Sequence, residues 1–252
     1  MRTTDMTGLF GLTRNIVKRH YALLTPSGLV PSHLPGWEKA ACYVLISPAL
    51  GTRFSQVLIA LEREGKCAGN TGANQYFVYV LEGTASILIE ARNHRLETGG
   101  YAYLPSGRDV QIASVAAGTR LLIFQKEYQL LPGVAKPMGF VGLDREVKTQ
   151  PFRGDADLRL QALLPSELAF DMAVNILTCA PGAALPVVEA PIMERGWMVL
   201  RGQAIYRLEA DWHPVQAGDV IWAAPYCPQW FVAMGKTPIS CIYYQDVNRD
   251  PM

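Results

Sequence analysis

Two stretches of the chain decide the fold: YVLEGTASILIEARNHRLETGGYAYLPSGRDV (residues 79–110) and MVLRGQAIYRLEADWHPVQAGDVIWAAPYCPQ (residues 198–229). They align without a gap at an offset of 119 residues (79 against 198), so that Gly83 falls on Gly202. Self-similarity over so long a stretch is typical of a repeated structural unit. The sequence therefore predicts two copies of one fold.

The composition of each copy indicates β-structure. Short pieces rich in Val, Ile, Leu and Tyr, such as FVYVLEG, ASILIEA, AIYRLEA and SCIYYQD, are separated by Gly, Pro, Asn and Asp. This spacing is typical of an antiparallel barrel or jelly roll and not of βαβ units. The only weak helix candidates are ELAFDM (residues 167–172) and the first 20 residues. We predict an N-terminal arm (1–39), a first barrel (40–130), a connection (131–166) and a second barrel (167–252).

Charge and cysteine content narrow the classes of partner and compartment. The net charge of the 252 residues is +1, without a block of like charge, so neither nucleic acid nor a membrane surface is an expected partner. No apolar run approaches the roughly 18 residues of a membrane span, and the N-terminus lacks the apolar core of a signal peptide. The five cysteines form no CxxC pair, which favours reduced thiols. We expect a soluble, cytoplasmic protein.

The turn residues of both copies resemble the second motif of the cupins, which reads Gly, five residues, Pro-x-Gly, two residues, His. Val110 stands at the position of the His in the first copy, and Gln229 stands there in the second. The turn residues that carry the motif are Gly99, Pro105 and Gly107 in the first copy and Gly218 and Pro225 in the second. The resemblance implies a bicupin, an all-β protein of two tandem jelly-roll barrels, over about residues 40–248.

A narrower resemblance is to the (S)-ureidoglycine aminohydrolases of purine (allantoin) breakdown. It rests on the second motif that ends in Gln and on three stretches: YALLTPSGLVPSHLPGWE (21–38), ELAFDMAVNILTCAPGA (167–183) and DVNRDP (246–251). The resemblance implies a Mn²⁺ enzyme that hydrolyses ureidoglycine to ureidoglycolate and ammonia in its second barrel. It also implies a first barrel without metal, and Val110 and Tyr76 agree with that.

The residues that carry the chemistry of this family are only partly present. The family holds its metal with Glu-x-His-x-x-x-His and a Gln. Glu189 and Gln229 match the Glu and the Gln, whereas Pro191 and Arg195 replace the two histidines. The family's proton-handling Lys is replaced by Gln245. The Tyr four residues before that Lys is Cys241, and the Tyr that matches Tyr206 is retained.

Elementary electrostatics argues against a metal at these positions. Proline offers no side-chain ligand, and arginine cannot shed its charge. A guanidinium about 4 Å from a divalent ion costs roughly 8 kcal/mol at an effective dielectric near 20. We therefore expect no cofactor in this copy, with Glu189 and Gln229 as vestigial metal ligands. A site rebuilt from Glu189, Cys241 and Gln229 remains as an alternative.

Three functions from different classes follow, and whether the protein is an enzyme stays open. It is an active Mn²⁺-dependent aminohydrolase, a metal-free module that binds a small ureido or carboxylate compound, or a non-catalytic subunit with a vestigial pocket. The chemistry favours the second. We expect a small-molecule ligand and a homo-oligomer. The candidate ligand-binding residues are Glu189, Arg195, Tyr206, Gln229, Tyr243 and Gln245.

The same residues predict a specific contact. If the backbone of the family is kept, Arg195 and Glu189 converge, and a planar guanidinium suits a carboxylate. We predict that they form an ion pair, with Gln229 as a further acceptor. We expect Glu194 to be a solvated strand residue and His213 to serve a structural turn that enters a strand.

Overall fold

A computed structural model of the chain describes residues 13–249, which form an almost entirely β structure. The described part contains three short 3-10 helices, Pro26–Gly28, Pro48–Leu50 and Asp144–Glu146, and no α-helix. Both weak helix candidates are wrong where they are described, because residues 167–171 form bends, turns and irregular backbone before β14 begins at residue 172, and residues 13–20 contain a short strand. Residues 1–12 of that candidate and of the predicted arm lie outside the described residues. The strands are β1 Ile16–Val17, β2 Tyr21–Leu24, β3 Trp37–Ile46, β4 Phe54–Asn70, β5 Asn74–Glu82, β6 Thr84–Ile89, β7 Arg92–Glu97, β8 Gly100–Leu104, β9 Asp109–Ser114, β10 Thr119–Glu127, β11 Phe140–Leu143, β12 Gln150–Phe152, β13 Asp155–Ala162, β14 Met172–Cys179, β15 Arg195–Arg201, β16 Gln203–Leu208, β17 Asp211–Gln216, β18 Val220–Ala223, β19 Gln229–Met234 and β20 Ile239–Asp246.

The repeat in the sequence is a repeat in the structure. β6 and β7 begin and end 119 residues before β16 and β17. The turns that precede β6 and β16 are made by Gly83 and Gly202, at φ of 81° and 78°. Because this left-handed backbone favours glycine, the retained Gly pair marks the same hairpin in both copies.

Each copy folds its strands into a barrel. In the first copy the strands form one continuous nine-stranded sheet, and β4, which is 17 residues long, joins its two halves, since it pairs with β10 through its first half and with β9 through its second. In the second copy β18, β15, β20 and β14 lie in one sheet, and β17, β16 and β19 form the other. The jelly-roll prediction is thereby confirmed in its architecture.

The segments around the barrels extend these sheets. β2 pairs with β18, β11 pairs with β8, and the β12–β13 hairpin pairs with β14. The N-terminal strands therefore attach to the second barrel and the connection contributes strands to both. The predicted boundaries at 39, 130 and 166 stay predictions.

The two barrels pack face to face through a shared apolar core. The first contributes aromatic side chains from β4, β5, β8 and β10, and the second contributes Met172, Trp222 and Tyr244 among others. Gly196 lies at this contact, because a Cβ there would approach Phe54 Cζ to 2.4 Å. A separate apolar cluster fills each barrel. Its burial stabilises the fold by about 25 cal/mol per Å² of apolar surface removed from water.

Polar contacts also join the barrels. The backbone N–H of Arg53 donates to Glu194 Oε1 at 2.9 Å, and the Arg53 guanidinium contacts Asp246. Trp222 Nε1 donates to the other Glu194 oxygen at 3.4 Å. Glu194 is only 1% exposed. The expectation of a solvated Glu194 is wrong, because its side chain, one residue before β15, is buried in the inter-barrel contact.

Glu194 should make stability depend on pH. Burial, followed by the charge of Asp246, raises the pKa of its carboxyl above 4.5, and Arg53 offsets this only in part. The folded state then keeps a proton that the unfolded state loses, so stability falls as pH rises from about 4.5 through the raised pKa. We expect Glu194→Gln to remove this fall, as measured by urea unfolding at a series of pH values. Glu62→Gln, at an exposed position, is the control, and an identical pH profile for wild type and Glu194→Gln would contradict the prediction.

Candidate functional site

The candidate residues gather at the mouth of the second barrel. Glu189 lies outside the named strands and forms an isolated bridge with Gln229, the first residue of β19. The two backbone hydrogen bonds of this bridge are 2.9 and 2.7 Å long. Arg195 begins β15 and faces Gln245 on β20. The bridge and the strand pairing thus hold the four side chains at one end of the barrel.

The predicted ion pair is present. Arg195 Nη1 donates to Glu189 Oε2 at 2.8 Å, and the two residues are 8% and 6% exposed. The prediction that Gln229 is a further acceptor is wrong, because its Oε1 accepts a hydrogen bond from the Tyr206 hydroxyl at 2.8 Å. Its Nε2 and the Arg195 Nε are buried without a hydrogen-bond partner among residues 13–249. Arg195 therefore neutralises the charge of Glu189, while Gln229 Nε2 and Arg195 Nε keep unused hydrogen-bond donors.

A second arginine, which the sequence did not single out, contacts the other oxygen of Glu189. Arg153 Nε donates to Glu189 Oε1 at 2.8 Å. Arg153 and Gly154, at φ of 53° and 81°, form the two-residue turn between β12 and β13, as in a type I′ hairpin. The dipeptide Arg-Gly between two extended pieces signals such a turn, but nothing in the sequence says that the turn reaches Glu189, 36 residues away.

The donor set does not fit a Mn²⁺ ion. Glu189 accepts from Arg195 with one oxygen and from Arg153 with the other, and Gln229 Oε1 accepts from Tyr206. Pro191, at one family histidine position, lies in the loop before β15 and offers only its backbone oxygen, which accepts from Tyr226. Within the described chain no group of three His, Cys, Asp or Glu side chains could hold a metal ion.

Aromatic side chains lie close to the Arg195 guanidinium and to one another. The Tyr243 ring stacks on Trp197 at a centroid distance of 4.0 Å, and Arg195 Cζ lies 6.0 Å from the Tyr243 centroid. Trp197 meets Tyr206 edge-on at 6.2 Å. Burial raises the pKa of Tyr243 to about 12, against the opposing charge of Arg195, and burial also raises the pKa of Tyr206 well above its ordinary value of 10. Both hydroxyls therefore stay protonated near neutral pH, and neither offers a phenolate.

A cavity of about 430 Å³ opens beside this cluster. Its polar lining comes from Arg153, Ser166, Asn175, Arg195, Tyr243, Gln245 and Asn248, and no carboxylate lines it. Of the six predicted ligand-binding residues the structure places three on the cavity wall, whereas Glu189, Tyr206 and Gln229 are not part of the lining. The cavity can accept a small anion, because it faces two guanidiniums backed by one carboxylate.

The remaining candidates lie away from this cavity. Cys241 borders a void of about 10 Å³ inside the second barrel, so the rebuilt Glu189–Cys241–Gln229 site has no support in the geometry. His213 lies within β17 and not at a turn, and its Nε2 is 3.1 Å from the Tyr21 hydroxyl. All five cysteines are unpaired, as predicted. Among the described residues no helix has the length and apolar character to cross a membrane.

The stability of the site should depend on Arg195 more than on Arg153. Arg195→Met removes a buried partner of Glu189, and breaking a buried pair costs about 3–5 kcal/mol. Because Arg153 still contacts Glu189, we expect a loss near the lower end of that range in the free energy of unfolding. Arg153→Asn, which suits the left-handed turn and removes a half-exposed guanidinium, should cost less than about 1 kcal/mol.

Equilibrium urea unfolding of both variants measures this difference. Glu189→Gln combined with Arg195→Met is the matched control, since it removes the charge that Arg195 neutralises and should recover part of the loss. Equal stability of wild type and Arg195→Met would show that the pair contributes nothing.

The chain is similar to proteins of known name. It is 37% identical over 243 residues to a probable (S)-ureidoglycine aminohydrolase of Oryza sativa subsp. japonica, a match that covers 96% of this chain and 78% of that protein. The crystal structure of a putative glyoxylate-induced protein from Pseudomonas aeruginosa superimposes with a TM-score of 0.88 at 29% identity, over 97% and 94% of the two chains. An oxalate decarboxylase of Bacillus subtilis shares the fold, with a TM-score of 0.68 at 15% identity over 91% and 78% of the two chains. No protein-family model matches the chain.

Proposed function

The chain belongs to the (S)-ureidoglycine aminohydrolase family, and we propose that this member binds a small ureido-carboxylate compound at the mouth of its second barrel without a metal. The observation that carries the proposal is the cluster of Arg195 and Glu189, at positions where the family resemblance implies metal ligands, with Arg153, which contacts the same carboxylate. The ligand class is that of the family's named substrate, and the mode of recognition is this chain's own.

The carboxylate end of such a ligand suits the two arginines. Their two positive charges exceed the single charge of Glu189, so the cluster keeps a net charge of +1 beside a cavity with no acidic lining residue. Arginine offers planar, paired donors that match carboxylate geometry. The Arg195 Nε, buried and without a partner in the described chain, retains an unused donor.

The ureido end suits the amides. A ureido group carries N–H donors and a carbonyl acceptor, and a primary amide side chain offers both complementary roles. Asn175 and Gln245 both line the cavity on neighbouring strands, β14 and β20. Gln245 makes no side-chain hydrogen bond within the described residues, so its amide is available to the ligand.

Hydrolysis of ureidoglycine is the second candidate, and the 37% identity to the rice relative favours it. Glu189, Gln229 and Tyr206 keep the residue types that the family resemblance implies for them. Against it stand Gln245, whose amide does not take up a proton near neutral pH, and a donor set that does not fit Mn²⁺. The binding proposal therefore ranks first.

Hydantoate (N-carbamoylglycine) tests binding, because it carries the ureido group and the carboxylate. Calorimetric titration in EDTA should show saturable binding with one ligand per chain. Since a hydrogen bond to a charged group contributes about 1.5–3 kcal/mol, Arg153→Asn should weaken it by about 10- to 100-fold. Arg159→Gln, on the exposed face of the same hairpin, is the matched control. No binding by folded wild-type protein, or release of ammonia from ureidoglycine on addition of Mn²⁺, would overturn the proposal.

A metal site should return only when several residues change together. Pro191→His alone leaves the Arg195 cation to repel the ion, and Arg195→His alone leaves one imidazole short. In the Arg153→Asn background, which frees the second oxygen of Glu189, we expect measurable Mn²⁺ affinity only in the double variant, and hydrolysis only when Gln245→Lys is added, because the effects at one site are not additive. Elemental analysis and an ammonia-release assay measure the two effects, and tight Mn²⁺ binding by either single variant would refute the charge argument.

The proposal extends to location and assembly. Five unpaired cysteines support a reducing compartment, and we propose the cytoplasm. We also propose a homo-oligomer, with neither nucleic acid nor membrane as a partner. Sedimentation equilibrium of the purified chain tests the oligomer directly.

A further inference from the structure

The first barrel contains a cavity of its own, of about 540 Å³. Val57, Ile59, Val110 and Ile123 are buried side chains of its wall, and Trp37 borders it from β3. No charged residue lines it. A cavity of this size is within the range of small-molecule sites, which are mostly apolar with a few polar groups.

Strand pairing shows that this cavity and the cavity of the second barrel occupy the same place in the two copies. Tyr76 pairs with Gln125 in the first copy, as Arg195 pairs with Gln245 in the second. By the same criterion Ile123 corresponds to Tyr243, because each lies two residues before that glutamine.

A second pair of equivalent positions is also uncharged in the first barrel. Gly69 pairs with Val110 on β9, as Glu189 pairs with Gln229 on β19. The first barrel therefore keeps the location of the pocket and has glycine and valine where the second has a carboxylate and an amide. This pattern does not favour an anion.

Three polar side chains remain together on one side of the first cavity. Ser55, Gln125 and Tyr76 are cross-strand neighbours on β4, β10 and β5, and all three line the cavity. Directly opposed residues on adjacent strands have Cβ atoms about 4.5–5.5 Å apart. None of the three makes a side-chain hydrogen bond within the described chain. Burial raises the pKa of Tyr76, so its hydroxyl remains a neutral donor.

We propose that the first barrel binds an uncharged, largely apolar small molecule, with an apolar ring or branched body against the valine and isoleucine wall and one hydroxyl or carbonyl group at Tyr76, Gln125 and Ser55. The apolar wall excludes a charged ligand, because transfer of an unpaired charge into such a site is costly. The polar trio orients the ligand. The site is separate from the arginine cavity, and its existence does not depend on the proposed function of the second barrel.

The probe for this site is 1-naphthol, an uncharged fluorescent ring with one hydroxyl group. Fluorescence titration should show saturable binding to the wild-type chain that hydantoate does not displace. Tyr76→Phe should weaken 1-naphthol by about fivefold, which corresponds to the loss of one neutral hydrogen bond, and should leave naphthalene binding within about twofold. A variant that only disturbed packing would change both probes equally.

Gly69→Phe fills the cavity without strain. A Cβ at Gly69 meets nothing within 4 Å and its φ is not in the left-handed region, so the ring projects into open space beside Val110. This variant should weaken 1-naphthol by at least about tenfold, since filled space in a packed interior excludes a ring. Gln111→Phe adds the same ring to the exposed, opposite face of β9 and is the matched control.

Circular dichroism first establishes that each variant is folded. Loss of binding in Gly69→Phe with retention in Gln111→Phe supports the proposal. The proposal is overturned by no saturable binding to folded wild type, by unchanged binding in folded Gly69→Phe, or by tighter binding of 1-naphthoate than of 1-naphthol. Dimerisation that Gly69→Phe abolishes would show that a second copy of the chain covers the cavity, and would overturn it as well.

Discussion

A buried carboxylate needs a positive partner, and the architecture around Glu189 depends on that requirement. Pro191 and Arg195 stand where the family resemblance implies histidine, and a lone buried charge at Glu189 would be costly. Arg195 from β15 and Arg153 from the β12–β13 turn meet the two oxygens of this carboxylate at 2.8 Å each. Cations provided by the chain therefore neutralise Glu189, and the excess positive charge is directed toward a cavity.

The two copies show how one backbone supports opposite chemistries. Arg195 pairs with Gln245 across two strands of the second barrel, and Tyr76 pairs with Gln125 at the equivalent position of the first. The pockets that result have similar volumes but differ in lining, one cationic and one apolar. Because the sheets of each barrel are stabilised by their own apolar clusters, substitutions at the mouth change recognition without changing the fold.

The contact between the barrels is both apolar and charged. Gly196 permits close approach of β15 to Phe54, and the two residues before it, Glu194 and Arg195, point in opposite directions. Arg195 faces the cavity while Glu194 faces Arg53 and Asp246 of the inter-barrel contact. A second buried pair, Lys126 with Asp171 at 3.0 Å, joins the copies at another point. The position of the arginine in the site is therefore coupled to the packing of the two barrels.

The sequence by itself determined the repeat, the all-β class and the replacement of two histidines, because strand alternation, glycine turns and motif spacing are local properties. It also led to the Arg195–Glu189 pair, since the five residues between them span one loop whose ends the barrel brings together. Only the tertiary structure decided that Arg153 contacts Glu189 and that Gln229 accepts a hydrogen bond from Tyr206. It also decided that Glu194 is buried against Arg53, 141 residues away. Those contacts join segments whose separation leaves no periodic signal, and their energies depend on burial, which is a property of the folded molecule. Tertiary structure likewise decided that one barrel has a cationic cavity and the other an apolar one, because strand pairing alone places the side chains of each cavity side by side.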